Sequence, residues 1–406
     1  MRASIIEASF FSVWAGAISG NYLVGAALFL GAQGLPLGIL GGLPALGTML
    51  QIVSAPLVLG RPGQRTIIAV LSGLQRFSAA LAVPIAFWLM PSPAALVVFV
   101  SLHVFAWACM APATVLWQGY MTDLVPARIR GEYFSRRHIW SQVAGISAVL
   151  VYGAVLDRLP GAAGFLTLSV CALVAAALNF GAWFLHPNLP PGDVRSGRGF
   201  WETLRIPLSR PGPHRAASFF FAAWAFAQGL AVPFFPLALV RLLGLSFGSV
   251  SLLVTVAAVA SVLSARFWGR WLDRAGHGRM LGLVTAMQAA VPVLLLAARL
   301  GGWPVLVAAY VLWGSAAVGF GLANQTLNMG LAPREDRSAY FAFFAAMGGL
   351  TGFLTPVLVG PLTDRYLGLL FGTASVLSAV LCLLWWVRVR HLVSGDTARP
   401  VQAQAK

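Results

Sequence analysis

The chain has 406 residues, of which 59% are hydrophobic and only 9% are charged. A soluble domain carries about 25% charged residues, so this composition excludes a water-exposed globular protein and a disordered chain. The net charge of +16 is the excess of 27 basic residues, 26 arginines and one lysine, over 11 acidic residues. The basic residues lie mostly in short gaps between apolar runs, which is typical of membrane topology and argues against nucleic-acid binding.

Twelve apolar runs are long enough to cross a bilayer as helices, since a span needs about 20 residues. They cover residues 10–31, 35–59, 66–90, 94–119, 138–156, 162–185, 216–240, 247–268, 280–298, 303–325, 339–362 and 366–387. Lipid leaves no partner for an unpaired backbone group, so every run is predicted to be helical. The first run is too long for a signal sequence, which predicts an uncleaved first span.

Arginines are concentrated in every second gap between the runs. The gaps that hold them are 61–65, 128–137, 195–215, 270–279 and 334–337. Because cytoplasmic loops hold the positive charge, we predict a multi-pass protein of the cytoplasmic (inner) membrane with both termini in the cytoplasm.

The longest gap, 186–215, divides the runs into two sets of six. We therefore predict a six-helix bundle at 1–185, a cytoplasmic linker at 186–215, and a second six-helix bundle with a short tail at 216–406. Within the linker, Phe200 to Leu208 has the pattern of a short helix lying on the membrane surface.

The two halves repeat when the sequence is shifted by 207 residues. From Gln118 to Arg158 the shift gives ten identities, where composition alone gives roughly three or four. The identities include Tyr133 with Tyr340 and Asp157 with Asp364. A repeat of six spans each predicts two parallel halves related by an axis along the membrane normal.

Two loops share a motif of glycine, aspartate and basic residues. The later copy, Gly269 to Arg279, matches well with one extra residue; the earlier copy, Pro56 to Arg65, has Gly60 where the aspartate is expected. Together with the twelve spans and the basic central loop, these motifs resemble the major facilitator superfamily over the whole chain. The resemblance implies an all-α integral membrane fold of two parallel six-helix pseudo-repeats, which transports solutes by alternating access.

The resemblance also implies a gate made by charged residues at the cytoplasmic helix ends. The residues of this chain that match are Asp123, Arg130, Asp273, Arg274, Arg279 and Arg337. A purely topological role for these arginines is the alternative. The signatures of drug–proton antiporters are incomplete, because Val115 replaces an arginine before Gln118 and the fifth span has no proline.

Two polar residues are predicted deep in the first half, where an ionised side chain is costly. Arg76 lies near the middle of the third span, and no aspartate or glutamate is expected within its reach. We therefore weigh an anionic substrate as its missing counter-charge against a structural role bonded to backbone carbonyls. His103, in the fourth span, is the candidate for proton coupling, against a neutral histidine bonded within the bundle.

The remaining candidates lie on spans that line the substrate cavity in the family. Asn21 and Gln228 are repeat equivalents whose amides suit a polar solute, or a bond between helices. Further candidates offer aromatic surfaces for stacking, although packing is the alternative for each: Tyr22, Trp107, Trp224 and Trp313.

These features predict a monomeric secondary transporter of a small organic solute, with an anion as one candidate class of solute and a proton as the candidate coupling ion. Efflux or flipping of a drug-like or lipid-like amphiphile stays open, as does a non-transporting membrane sensor or scaffold. No nucleophile–base pair, paired carboxylates or metal-ligand spacing occurs in the sequence, so we predict neither an enzyme nor a cofactor or metal site.

Overall fold

The computed structural model describes residues 2–58, 62–126, 129–188, 205, 207–209, 212–332 and 337–389, and these residues contain helices and no strand. Most of the predicted linker lies outside the described residues, including Phe200, Trp201 and Leu204, and so does the tail from residue 390.

The described residues of the first half form seven helices. They are α1 (Arg2–Ile18), α2 (Gly20–Phe29), α3 (Leu35–Val58), α4 (Gln64–Trp88), α5 (Ala94–Leu124), α6 (Arg130–Arg158) and α7 (Ala162–Trp183). Gly20, with a φ of +56°, separates α1 from α2 within the first predicted span. α1 and α6 begin well before the runs predicted at 10 and 138, because short polar stretches extend both helices beyond the purely apolar core.

The second half begins with α8 (Pro213–Gly229), which is followed by a 3-10 turn (Val232–Phe234) and two short helical turns up to Leu242. Pro233 and Pro236 lie where α8 gives way to these turns, since proline cannot donate a helical hydrogen bond. The chain continues with α9 (Phe247–Leu331), α10 (Arg337–Val359), a 3-10 turn (Gly360–Leu362), α11 (Thr363–Leu384) and a π-helical turn (Trp385–Val389).

α9 is three helices joined by sharp breaks. An unbroken helix of 85 residues would be about 130 Å long, several times the thickness of a bilayer. Gly276 and Gly302 have non-helical backbone angles, with φ of 77° and 61°, and divide it into three. Nine helical segments of the described residues are long and apolar enough to cross a membrane, and one of them runs from Ala339 to Val389 across the turn at Gly360–Leu362. Divided at these breaks, the described segments are compatible with the twelve predicted spans.

The chain forms two compact units. Unit 1 comprises Met1–Gly197 and Leu239–Leu252, and unit 2 comprises Arg198–Ala238 and Leu253–Lys406. The outer faces of the spans carry large apolar side chains that are more than half exposed, among them Val97, Val151 and Leu358. Such faces suit lipid rather than water.

Packing within unit 1 brings five helices around one interior. α1 packs against α6 and α7, while α4 packs against α5 and α7. Glycine allows the close approach of α4 and α7, because a Cβ at Gly73 would lie 3.0 Å from the Phe180 ring. The interior enclosed by α1, α4, α5, α6 and α7 is where the candidate site lies.

Candidate functional site

Unit 1 contains a cavity of about 250 Å³ between α1, α4, α5, α6 and α7. One part of its wall is polar or charged and is formed by Glu7, Ser72, Gln75, Arg76, Thr114, Arg137 and Ser141. The other part is apolar and is formed by Ala8, Phe11, Met110, Ala113, Trp117 and Trp183. A concave site with apolar walls and a few converging polar groups is the usual form of a small-molecule site.

The centre of the polar wall is the Glu7 carboxylate, whose side chain is only 4% exposed. Its Oε1 lies 3.6 Å from Nη2 of Arg76, and its Oε2 accepts a 3.0 Å hydrogen bond from Nη2 of Arg137. Asn179 donates to Oε1 at 3.2 Å and to the Glu7 backbone carbonyl at 2.7 Å. The cluster therefore joins α1, α4, α6 and α7 through one carboxylate.

The two arginines of the cluster differ in how fully they are bonded. Nε of Arg137 also donates to the backbone and hydroxyl oxygens of Ser4, at 3.3 and 3.2 Å. Nε and Nη1 of Arg76, in contrast, are buried and have no hydrogen-bond partner among the described residues. The Arg76 guanidinium also lies over the rings of Phe11 and Trp14, at 5.1 and 5.8 Å.

Arg76 thus lies in a buried, cavity-lining position, but the expectation that no carboxylate lies within its reach is wrong. Glu7 is its counter-charge. The sequence placed Glu7 outside the first span, whereas α1 begins at Arg2 and carries Glu7 into the interior. The charge of Arg76 taken alone therefore does not require an anionic substrate, but Glu7 also pairs with Arg137.

His103 lies apart from this cavity. It lines a second, very small cavity of about 10 Å³, room for about one water molecule, whose described lining includes Tyr22 but no residue of the larger cavity. Its Nδ1 lies 2.9 Å from the Phe99 carbonyl on the same helix, and its ring packs against Phe99. The Tyr22 hydroxyl hydrogen-bonds with the Val149 carbonyl and the Ser251 hydroxyl.

The other predicted binding residues are not brought together with Arg76. Asn21 is partly buried on α2. Trp107 on α5 packs against Gly47 of α3. A Cβ at Gly47 would lie only 2.5 Å from the Trp107 ring, so a larger residue would not fit there. In unit 2, Gln228 donates to the Ser378 hydroxyl at 3.0 Å.

Two predicted aromatic residues lie in the packed interior of unit 2. Trp224 is 3% exposed and stacks on Phe320, with ring centroids 6.0 Å apart. Trp313 meets Phe235 edge-on at 5.3 Å. These contacts match the packing alternative, and a contact with solute stays a prediction for both.

The predicted gating residues lie at helix ends. Asp123, Asp273, Arg274 and Arg279 are exposed, and no ion pair joins them among the described side chains. The side chains of Arg130 and Arg337 lie outside what the structure describes. Glu132 pairs with Arg136 on its own helix at 2.9 Å, with both side chains at least two-thirds exposed.

Sequence reasoning missed Glu7, Arg137 and Asn179 as members of the cluster. Glu7 could have been found by extending the first span to Ala3, since that longer window is still apolar enough to cross a membrane. Arg137 was counted among the topology-setting loop arginines, although it lies on α6 and its guanidinium stacks over Trp117 at 4.8 Å. Asn179 carried no signal, because its partner Glu7 is 172 residues away.

One titratable group lies just beyond the end of α7, beside the cavity wall. His186 stacks on Trp183, with ring centroids 4.7 Å apart. Burial lowers the pKa of His186 below its ordinary value, so this residue is neutral near pH 7. The charge of the cluster therefore comes from Glu7 and the two arginines.

The fold and the cavity define a polytopic helical membrane protein with an internal repeat and a buried, charged solute-sized site. Residues 216–404 match the family model described as Major Facilitator Superfamily. No curated protein sequence matches the chain. The match to the family model confirms the resemblance found in the sequence over the second half of the chain.

Solved structures share the fold over nearly the whole chain. A mutant of the nucleoside transporter NupG has a TM-score of 0.75 and 15% identity, covering 95% of this chain and 98% of that one. The xylose transporter XylE from E. coli, in an inward open conformation, has a TM-score of 0.68 and 15% identity, covering 97% and 98%. A bacterial homologue of the iron transporter ferroportin has a TM-score of 0.70 and 16% identity, covering 95% and 97%.

Proposed function

We propose that the protein is a secondary transporter that moves a small organic solute across the cytoplasmic membrane, and that the cavity at Arg76 is its binding site. The observation that carries the proposal is the cluster of Glu7, Arg76 and Arg137 on the wall of a cavity within membrane-spanning helices. Ionised side chains inside a membrane are costly and usually mark a substrate or ion pathway.

The fold supports transport but does not select the solute. The similar structures are those of a nucleoside transporter, a xylose transporter and a homologue of an iron transporter, so one architecture serves unlike solutes. The class of solute therefore depends on the side chains that line the cavity. We propose transport by alternating access, with 1–185 and 216–406 as the moving bundles and the charged helix ends at Asp123 and Asp273 as the gate.

His103 keeps its proposed role in proton coupling, at a place separate from the solute cavity. Its ring is buried beside a cavity with room for about one water molecule. His103→Gln is expected to abolish solute accumulation driven by a pH gradient while leaving exchange intact. Accumulation by this variant equal to that of the parent chain would remove His103 from the coupling step.

The transport proposal is tested by counterflow in proteoliposomes that contain the full chain. Labelled benzoate, xylose and uridine represent an organic anion, a sugar and a nucleoside. We expect counterflow of at least one solute, its loss in Arg76→Gln, and its retention in Arg136→Gln, which alters an exposed arginine one residue before Arg137. Size-exclusion chromatography establishes that each variant is folded. Counterflow of none of the three, or counterflow that Arg76→Gln leaves unchanged, would contradict the assignment of this site.

A further inference from the structure

We propose that the solute is an organic monoanion, with one carboxylate-like group bound by Arg76 and an apolar body held against the aromatic wall of the cavity. This inference rests on the proposed function, since it names the class of solute for the same site. It depends on the balance of charge in the cluster, on the unequal bonding of its two arginines, and on the composition of the cavity wall.

The cluster carries one positive charge in excess. Arg76 and Arg137 are both cationic, and Glu7 is the one carboxylate that pairs with them among the described residues. Asn179, which also bonds to Glu7, is neutral. A buried charge without compensation is unfavourable in a membrane protein, so a ligand with a single negative charge would complete the cluster.

The bonding of the two arginines indicates which of them receives the ligand. Arg137 is fixed by Glu7 and by both oxygens of Ser4, so it positions the carboxylate. Arg76 approaches Glu7 only to 3.6 Å, which is an ion pair but too long for a hydrogen bond. Two of its three guanidinium nitrogens are buried without a partner among the described residues, although its side chain is 6% exposed. A carboxylate matches such donors in geometry and charge.

The other residues of the cavity wall indicate the size and polarity of the part of the solute that Arg76 does not bind. Apolar surface comes from Phe11, Met110 and Trp117, whereas Ser72 and Thr114 add neutral hydroxyl groups. A volume of about 250 Å³ admits on the order of ten non-hydrogen atoms, which fits a small aromatic or short-chain carboxylic acid. A dianion would overcompensate the cluster, and a neutral sugar would leave its excess charge unpaired.

The test measures binding of acids and their uncharged amides to the purified full chain in detergent. The probe pairs are benzoate with benzamide, phenylacetate with phenylacetamide, and hexanoate with hexanamide. At least one acid is expected to bind about tenfold more tightly than its amide, both to the parent chain and to Arg136→Gln. Arg76→Gln is expected to remove that preference.

A second pair of variants leaves Arg76 in place, in case its removal disturbs folding. Thr114 lines the cavity on α5, so Thr114→Glu adds a carboxylate that cancels the excess charge, while Thr114→Gln adds similar bulk without charge. We expect Thr114→Glu to abolish acid binding, whereas Thr114→Gln, whose bulk weakens acid and amide alike, isolates the effect of the added charge. Equal binding of acid and amide by the parent chain, or an acid preference that survives both Arg76→Gln and Thr114→Glu, would overturn the inference.

The outcome also separates this inference from the transporter assignment. An acid that binds through Arg76 but shows no counterflow in proteoliposomes upholds the anion site and contradicts transport of that acid. Counterflow of xylose or uridine with no acid preference in binding supports transport and overturns the anion site.

Discussion

At one pair of equivalent positions in the repeat, the first half of the chain has a charged side chain and the second half has an apolar one. The shift of 207 residues that aligns Tyr133 with Tyr340 also places Phe344 opposite Arg137. In unit 1, Arg137 bonds to the buried Glu7 carboxylate. In unit 2, the Phe344 ring packs edge-on against Phe221, with centroids 5.1 Å apart.

The surroundings of Phe344 are aromatic rather than charged. Phe221 also packs against Phe320, and Trp385 contacts both Phe220 and Phe221. Trp224 and Trp268 belong to the same buried cluster. Duplication has therefore kept the helical framework while the interiors diverged, because a framework requires only matched volumes and apolar faces. A charged cluster requires every partner to be present at once.

Removing the central carboxylate is the most severe way to disturb unit 1. Glu7→Ala leaves Arg76 and Arg137 buried without their counter-charge, so we expect a loss of about 3–5 kcal/mol in stability. Thermal unfolding of the detergent-purified protein measures the loss. The control is Glu132→Ala, which removes an exposed carboxylate from its pair with Arg136 and should cost less than about 0.5 kcal/mol. Equal effects of the two variants would show that the Glu7 cluster does not hold unit 1 together.

The converse test places an arginine in unit 2, at the position equivalent to Arg137 of unit 1. Phe344→Arg places a cation against a cluster of aromatic and aliphatic side chains. We expect a cost of about 2.5–3.5 kcal/mol, similar to that of an arginine at the centre of a membrane helix. Phe344→Leu, which removes the ring but adds no charge, should cost about 1 kcal/mol. If the arginine variant unfolds at the temperature of the leucine variant, the interior of unit 2 tolerates charge and the contrast fails.

A further polar contact of unit 1 lies at the end of α6. Asp157 accepts bonds from the Gly248 amide, at 3.1 and 3.2 Å, and from the Ser246 hydroxyl, at 3.0 Å, and so caps the N-terminus of α9. Asp157→Asn keeps the shape but weakens the attraction to the helix dipole, with an expected loss of about 1 kcal/mol. Urea unfolding in mixed micelles, with Asp123→Asn as the exposed control, measures it. A greater loss for the control would contradict the capping role.

The smallest effect is expected at the neutral polar pair of unit 2. Ser378→Ala removes the acceptor of the Gln228 amide and should cost about 0.6 kcal/mol, the average for such bonds in membrane proteins. Ser375→Ala is the matched control, because the Ser375 hydroxyl is buried without a partner among the described residues and its removal should be neutral or stabilising. The melting temperatures of the two variants should therefore move in opposite directions, or Ser378→Ala alone should move.

The sequence predicted the helical class, the twelve spans and the repeat, and it placed Arg76 and His103 deep in the first half. These properties follow from hydrophobicity along the chain, which the bilayer makes decisive over each stretch of about 20 residues. The ends of helices were predicted less well. α1 and α6 extend beyond their apolar runs, and the misplaced end of α1 excluded Glu7 from the interior.

The tertiary structure decided which charges meet. Glu7 and Arg137 are 130 residues apart, and Glu7 and Asn179 are 172 apart, so no spacing along the chain brings them together. Their contact depends on the packing of α1 against α6 and α7, which is determined by side chains on several helices at once. The sequence alone therefore identified a buried arginine in a membrane protein. Packing decided that Arg137 and Glu7 bond to each other while two nitrogens of Arg76 stay unbonded, because hydrogen-bond partners are selected by distance in space rather than by order in the chain.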